Sequence, residues 1–235
     1  MSNTGNFPNL NVYSPTEHFN MPSKTETKHI AVAGNIGSGK TTLTTKLAKH
    51  YKWQAHFEDV DHNPYLVDFY EDMHRWSFNL QIYFLNNRIK HLIEIHNGKA
   101  TVIQDRTIYE DAYIFAPNLF DMGLMTKRDY ENYTSFFQNL KTLIKPPDLL
   151  IYLKASIPTL VDQIQNRGRE YEENIRLDYL KRLNGFYNKW IDGYKDGPLL
   201  VIDVDNCNFA EKDEDFADVV RRIDAQIHGL FSRGK

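Results

Sequence analysis

Short apolar runs recur along this chain between longer stretches whose apolar residues fall at helical spacing. His29–Ala33 is the first run and closes on Gly34. Trp53–Phe57, Thr101–Ile103 with its end at Asp105, Leu149–Leu153 and Pro198–Val204 are the others, and each reads as a strand. Thr41–Tyr51 carries Leu43, Leu47 and Ala48 on one helical face. Ser77–His96 reads as a long helix closed by Asn97-Gly98. Further helical patterns fill 107–116, 126–144 up to Pro146-Pro147, Pro158–Asn166, 174–192 and about 215–231. Short strands alternating with helices predict an α/β fold: a doubly wound, five-stranded parallel sheet with helices on both faces. In such a sheet a ligand sits at the carboxyl ends of the strands, and the chemically interesting residues lie just after these runs or on the adjoining helices.

Composition narrows the class. With 41% apolar, 13% aromatic and 25% charged residues, the chain can bury a sizeable core, which excludes a disordered or collagen-like chain. A net charge of −3 gives no overall field for gripping nucleic acid, so a bound anion needs a local site. The one cysteine, Cys207, excludes an internal disulfide and reads as a small apolar residue rather than a nucleophile. Residues 1–27, rich in Asn, Ser, Thr and Pro, read as a loosely held tail before a domain over 28–235. Neither a secretory apolar run nor a stretch of about 18 apolar residues occurs. The expectation is a cytoplasmic protein bound to neither membrane nor nucleic acid.

Gly34-Asn35-Ile36-Gly37-Ser38-Gly39-Lys40-Thr41 matches the pattern G-x-x-x-x-G-K-S/T, followed by Thr42. Glycines let successive backbone N–H groups point at phosphate oxygens, and the helix that follows adds its positive end. In such a loop the lysine reaches the β- and γ-phosphates and the Thr41 hydroxyl ligates Mg²⁺. The chain lacks the Asp-x-x-Gly of a GTP-dependent switch, and Asn188-Lys189-Trp190-Ile191 lacks the acid of a guanine-reading motif. Two acidic strand ends follow, Glu58-Asp59 and Asp105-Arg106. One carboxylate there can take a proton from an attacking hydroxyl and the other can hold a metal, or both can simply cap helices. Arg167-Gly168-Arg169-Glu170-Tyr171-Glu172-Glu173 suits either a solvated loop or a lid that closes over phosphates.

Over residues 28–231 the chain resembles the deoxyribonucleoside kinases, specifically the bacterial deoxyadenosine/deoxyguanosine kinase-like branch related to deoxycytidine kinases. The resemblance is carried by the glycine-rich loop, Glu58, Asn63-Pro64-Tyr65, Tyr70, Gln81, Arg88, the run Asp105-Arg106-Thr107-Ile108-Tyr109-Glu110-Asp111, and Arg167-Gly168-Arg169 continuing to Leu177-Asp178-Tyr179-Leu180. It implies transfer of the γ-phosphoryl group of ATP, with Mg²⁺, to a deoxyribonucleoside 5′-hydroxyl, deoxyadenosine first and deoxyguanosine or deoxycytidine close behind. It implies Glu58 as general base, Arg106 as its orienting partner, Asp105 with Thr41 at the metal, and Tyr70 with Glu172 at the sugar 3′-hydroxyl. Gln81, Arg88 and Asp111 would read the base, and Arg167 and Arg169 would be the lid arginines. A homodimer is implied as well. Thymidine-preferring relatives tend to carry small apolar residues at the Arg88 and Asp111 positions. The chain departs from the family pattern at Asp59, Asp105, Thr107 and Gln163, the last of which bears on clamping of the phosphate donor.

Spacing supports the base-reading set: Gln81 and Arg88 are seven residues apart and share one helix face. Phe78, Tyr109 and Phe115 are candidates to sandwich the base, or core residues. Two other readings stay open on these residues, a nucleoside monophosphate kinase and a non-catalytic ATP-binding protein.

Overall fold

The computed structural model describes residues 27–58, 62–169, 172 and 175–229. The expected tail falls almost wholly outside them, as does Asp59. Five strands, β1 (His29–Gly34), β2 (Gln54–His56), β3 (Val102–Asp105), β4 (Leu149–Lys154) and β5 (Leu199–Asp203), form one parallel sheet in the order β2-β3-β1-β4-β5. The order reverses at β1, which pairs β3 on one side and β4 on the other. A crevice opens at such a reversal, above the carboxyl ends of the strands.

Side chains of β1 alternate between the faces. Ile30 and Val32 pack with Leu43, Leu47, Leu160, Val219 and Ile223, from α1 (Lys40–Tyr51), α7 (Ile157–Arg167) and α9 (Asp213–His228). Ala31 and Ala33 face the other way, toward Leu80, Ile114, Tyr152, Leu183 and Tyr187. These come in part from α3 (Met73–Asn97) and α8 (Leu177–Asp192). Alanine on that face leaves room for the two tyrosine rings, which lie 5.8 Å apart. With all four strand residues fully buried, each large aliphatic side chain contributes roughly 1.5–3 kcal/mol.

Departures from the expected elements have local causes. A six-residue helix, α2 (Leu66–Glu71), is too short for its periodicity to register in the sequence. The long helix starts at Met73 rather than 77, because Asp72 caps it by accepting from the Arg75 N–H at 3.0 Å. The stretch expected over 107–116 runs on to Asp121 as α4 (Ile108–Glu110), a π-helical turn (Asp111–Phe115) and α5 (Ala116–Asp121). Pro117 lies in the first turn of α5, where a helix tolerates it. The helix α6 (Lys127–Lys141) stops well before Pro146-Pro147, so those prolines do not terminate it.

Candidate active site

The glycine-rich loop links β1 to α1. Gly37 has φ +84°, and a Cβ there would lie 2.7 Å from the Leu160 carbonyl oxygen, so the turn excludes any larger residue. Asn35 does not present its side chain to a ligand. Its Nδ2 donates to the Leu180 carbonyl and to Asn184 Oδ1, both at 3.1 Å, which pins the loop to α8. Ser38 Oγ is buried without a partner among the described residues, and Lys40 Nζ donates to the Asn35 carbonyl at 2.9 Å. Burial, and then Arg106, lower the Lys40 ammonium to about 8, against the opposing pull of Asp105, Glu110 and Glu58.

Pairing of β2 with β3 ends at His56 and Gln104, so Phe57 and Glu58 leave the sheet at its carboxyl edge. Glu58 Oε1 accepts from Arg88 Nη2 at 2.6 Å, and its Oε2 lies 3.5 Å from Arg106 Nε. Burial pushes the Glu58 carboxyl up, but Arg106, Arg88 and Lys40 together outweigh it and hold it below the usual carboxylate range. Glu58 is therefore ionised at neutral pH and able to accept a proton. Arg106 sits at φ +64°, its N–H bound to the Val32 carbonyl at 2.9 Å and its guanidinium 4.5 Å from the centre of the Phe115 ring. A non-glycine residue in that region is strained, and the surroundings must hold it there.

Two cavities meet at the loop. One, of about 250 Å³, is lined by Glu58, Tyr70, Gln81, Asp111, Glu172 and Phe115, with Leu66, Phe69 and Phe84 supplying apolar wall. The other, of about 720 Å³, lies over Gly37, Gly39 and Thr42 and is closed by Gln163, Asn166 and the loop from Val204 to Glu211. Gly37, Lys40, Thr41, Arg167 and Arg169 line both. Gln81 Oε1 is buried on the smaller cavity without a partner among the described residues, so it is available to a ligand.

A scan against protein families matches the deoxynucleoside kinase model over residues 30–228. The chain belongs to this family. It is 40% identical to the deoxyadenosine/deoxycytidine kinase of Bacillus subtilis (strain 168) over 201 residues, which span 85% of this chain and 93% of that one. It is 42% identical to the deoxyadenosine kinase of Dictyostelium discoideum over 166 residues, 71% of this chain and 67% of the relative. Among solved structures it is similar to the deoxyadenosine kinase from M. mycoides with bound dATP. The TM-score is 0.75 and the identity 29%, covering 84% of this chain and 99% of that one.

For a member of this family, most of the expected site residues converge on the two cavities. Gly34, Asn35 and Ser38 line neither cavity, and nor does Arg88, the one base-reading residue that departs. It is 1% exposed, does not line the cavity, and is spent on Glu58, on Asp111 Oδ2 at 3.3 Å and on the Asp105 carbonyl at 3.4 Å. Only Asp111 of the expected base-reading pair faces the ligand space. Of the three aromatics, Phe78 and Tyr109 take the core reading, packing with Tyr133 and Phe137, whereas Phe115 lines the cavity. Phe84 lines the cavity instead, and its position three residues after Gln81 on the same helix face was the available signal. In the lid, Arg167 Nε donates to Glu172 Oε2 at 3.0 Å, its Nη2 contacts Glu172 Oε1, and Arg169 Nη1 lies 3.8 Å from that oxygen. Glu172 thus binds arginines here as well as facing the cavity. Cys207 is partly buried on the larger cavity, and burial holds its thiol above the ordinary range, which favours the uncharged thiol over the nucleophilic thiolate.

Neither Glu58 nor Asp105 caps a described helix: Tyr65 stands at the start of α2 and Thr107 caps α4. Asp105 Oδ2 instead accepts from the Thr41 hydroxyl at 2.6 Å, and Asp105 Oδ1 is buried without a partner among the described residues. A hard oxygen donor pair with one uncommitted carboxylate oxygen, beside the phosphate loop, fits Mg²⁺.

Proposed function

We propose that this chain transfers the γ-phosphoryl group of ATP to the 5′-hydroxyl of a deoxyribonucleoside, deoxyadenosine foremost, with deoxyguanosine and deoxycytidine as further acceptors. The observation that carries the reading is the division of the crevice. Glu58 lines the smaller cavity alone, whereas Lys40, Thr41, Arg167 and Arg169 line the boundary shared with the larger one. An acceptor hydroxyl beside Glu58 and a donor phosphate over Lys40 then meet at that boundary. The bond from O5′ to the γ-phosphorus forms as the bond to the β–γ bridging oxygen breaks. Glu58 takes the hydroxyl proton, and ADP leaves. Lys40, Arg106 and the lid arginines offset the charge on the transferring group. Thr41 and Asp105 would hold Mg²⁺, which neutralises phosphate charge when bound.

On the acceptor side, Tyr70 and Glu172 would take the sugar 3′-hydroxyl, and Gln81 and Asp111 the base edge. Arg88 orients Asp111 and Glu58 from behind. A monophosphate acceptor would need further cations near its phosphate. Beyond the shared residues, the smaller cavity offers it only Arg106 among its described lining. A dimer is part of the proposal, supported by the exposed apolar Ile93 on α3 and Phe136 on α6. A domain boundary near residue 27 is proposed too. Among the described residues no helix is long and apolar enough to cross a membrane.

A steady-state screen of four deoxynucleosides and their monophosphates with ATP and Mg²⁺ tests the reading. Deoxyadenosine is expected to give the highest kcat/KM, and the monophosphates no turnover. ATP binding without ADP release in any mixture would overturn it.

Lys40 adds a pH signature. With its ammonium near 8 in the free protein, nucleotide phosphates restore the charge that burial removes. ATP binding is therefore expected to take up a proton as pH rises from 7 to 9, approaching about one per site, while affinity falls. Calorimetry in two buffers of different ionisation enthalpy measures the uptake.

A further inference from the structure

Glu110 touches neither cavity, yet it is fully buried and all of its acceptor capacity is directed at the site's framework. Its Oε2 accepts from the Thr107 N–H at 2.7 Å, an arrangement that a helix cap alone would explain. Its Oε1 does something a cap does not need. It accepts from the Gly34 N–H at 3.2 Å, 76 residues away in sequence, and from the Tyr187 hydroxyl at 2.8 Å. That hydroxyl in turn accepts from Arg106 Nη1 at 3.3 Å. One carboxylate therefore joins the root of the phosphate loop, the turn after β3 that carries Asp105 and Arg106, and α8, to which Asn35 also ties the loop.

We infer that Glu110 is a positioning residue for phosphoryl transfer, fixing Arg106 and the phosphate loop to one another so that the donor and acceptor sides keep a single geometry. The inference rests on the function proposed above. Two observations support it. Arg106 occupies a strained backbone region, and the restraint on the next residue, at the Thr107 N–H, is Glu110. Burial holds the Tyr187 hydroxyl well above its ordinary range, so it keeps its proton and donates to Glu110. A misplacement of about 1 Å between reacting groups costs roughly 100-fold in rate, so a loosened joint lowers kcat even though Glu110 touches no substrate.

The test compares Glu110→Gln and Tyr187→Phe with the wild type in the full chain. Glu110→Gln keeps the side-chain size but turns an amide NH₂ toward N–H or O–H donors. It is expected to lower kcat roughly 10- to 100-fold while changing the deoxynucleoside KM little. That split between kcat and KM, measured where a thermal melt shows the variant fully folded, is one a purely structural role would not produce. Tyr187→Phe breaks the link to Arg106 but keeps the bonds from Glu110 to the Gly34 and Thr107 N–H groups, so kcat falls by a smaller factor. An unchanged kcat in Glu110→Gln would overturn the inference. If that variant does not fold, an unchanged kcat in Tyr187→Phe would overturn it. If the wild type phosphorylates no deoxynucleoside, the proposed function fails, while weaker ATP binding by Glu110→Gln than by the wild type still decides whether Glu110 holds the phosphate loop.

Discussion

Glu58→Gln is expected to lose roughly 10²–10⁴ in kcat, the range that a positioned general base contributes, with a much smaller change in KM for the nucleoside. The amide keeps the shape but cannot take the hydroxyl proton. Because Arg88 and Arg106 both lean on this carboxylate, the substitution also costs stability, about 1.5–3 kcal/mol for a lost charge-assisted hydrogen bond. A thermal melt of each variant, and kinetics at a temperature where both are fully folded, separate the two effects. A kcat within a few-fold of wild type would remove Glu58 from the role. The direction of its titration adds a further expectation. The two arginines and Lys40 hold the carboxyl low, so the base is ionised throughout the neutral range and the acid limb of the rate profile lies below the ordinary carboxylate range.

Much of this was legible in the sequence because the signals were local. The loop from Gly34 to Thr41 and the apolar strand runs each depend on neighbours a few residues away, and the sheet and cradle follow from them. What the sequence could not display was long-range pairing among buried charges. Gln81 and Arg88 share a helix face, but that spacing cannot say that Arg88 turns under the cavity wall toward Glu58, 30 residues away. Glu110 was visible only as part of a motif, because its decisive partners, Gly34 and Tyr187, are 76 and 77 residues distant. The short α2, which brings Leu66, Phe69 and Tyr70 to the wall, has fewer than two turns and so no readable period. Phe78 and Phe84 look alike as aromatic residues on one helix. Only the packing of α6 against α3 decides that Phe78 is core and Phe84 wall.

Replacing Arg88 by Val and Asp111 by Ala together is expected to move acceptor preference toward thymidine and to be better tolerated than Arg88→Val alone. Arg88→Val leaves two buried carboxylates facing one another with one counter-ion fewer. Breaking a buried pair in this way costs about 3–5 kcal/mol, which lowers the melting temperature by roughly 6–20 °C for a chain of this size. Asp111 is already held there against resistance. Burial pushes its carboxyl up to about 7, with Arg88 opposing and Glu58 adding to the rise. Between about pH 4 and pH 7 the folded chain keeps a proton that the unfolded chain has released, so the contribution of Asp111 to stability falls as pH rises. Asp111→Ala removes that slope, and in the double variant Glu58 retains Arg106. Melts across this pH range check both expectations, and the single and double losses must be non-additive. In the cavity, the same change removes the carboxylate that shares the wall with Gln81 and that an amino-bearing base would use, and leaves an apolar surface that suits a methyl group. A mismatch of about 1–3 kcal/mol per buried polar group raises the thymidine-to-deoxyadenosine ratio of kcat/KM by roughly 10- to 100-fold. A profile across the four deoxynucleosides that does not move, in a variant that melts as expected, would mean that Asp111 serves the charge cluster and not the base.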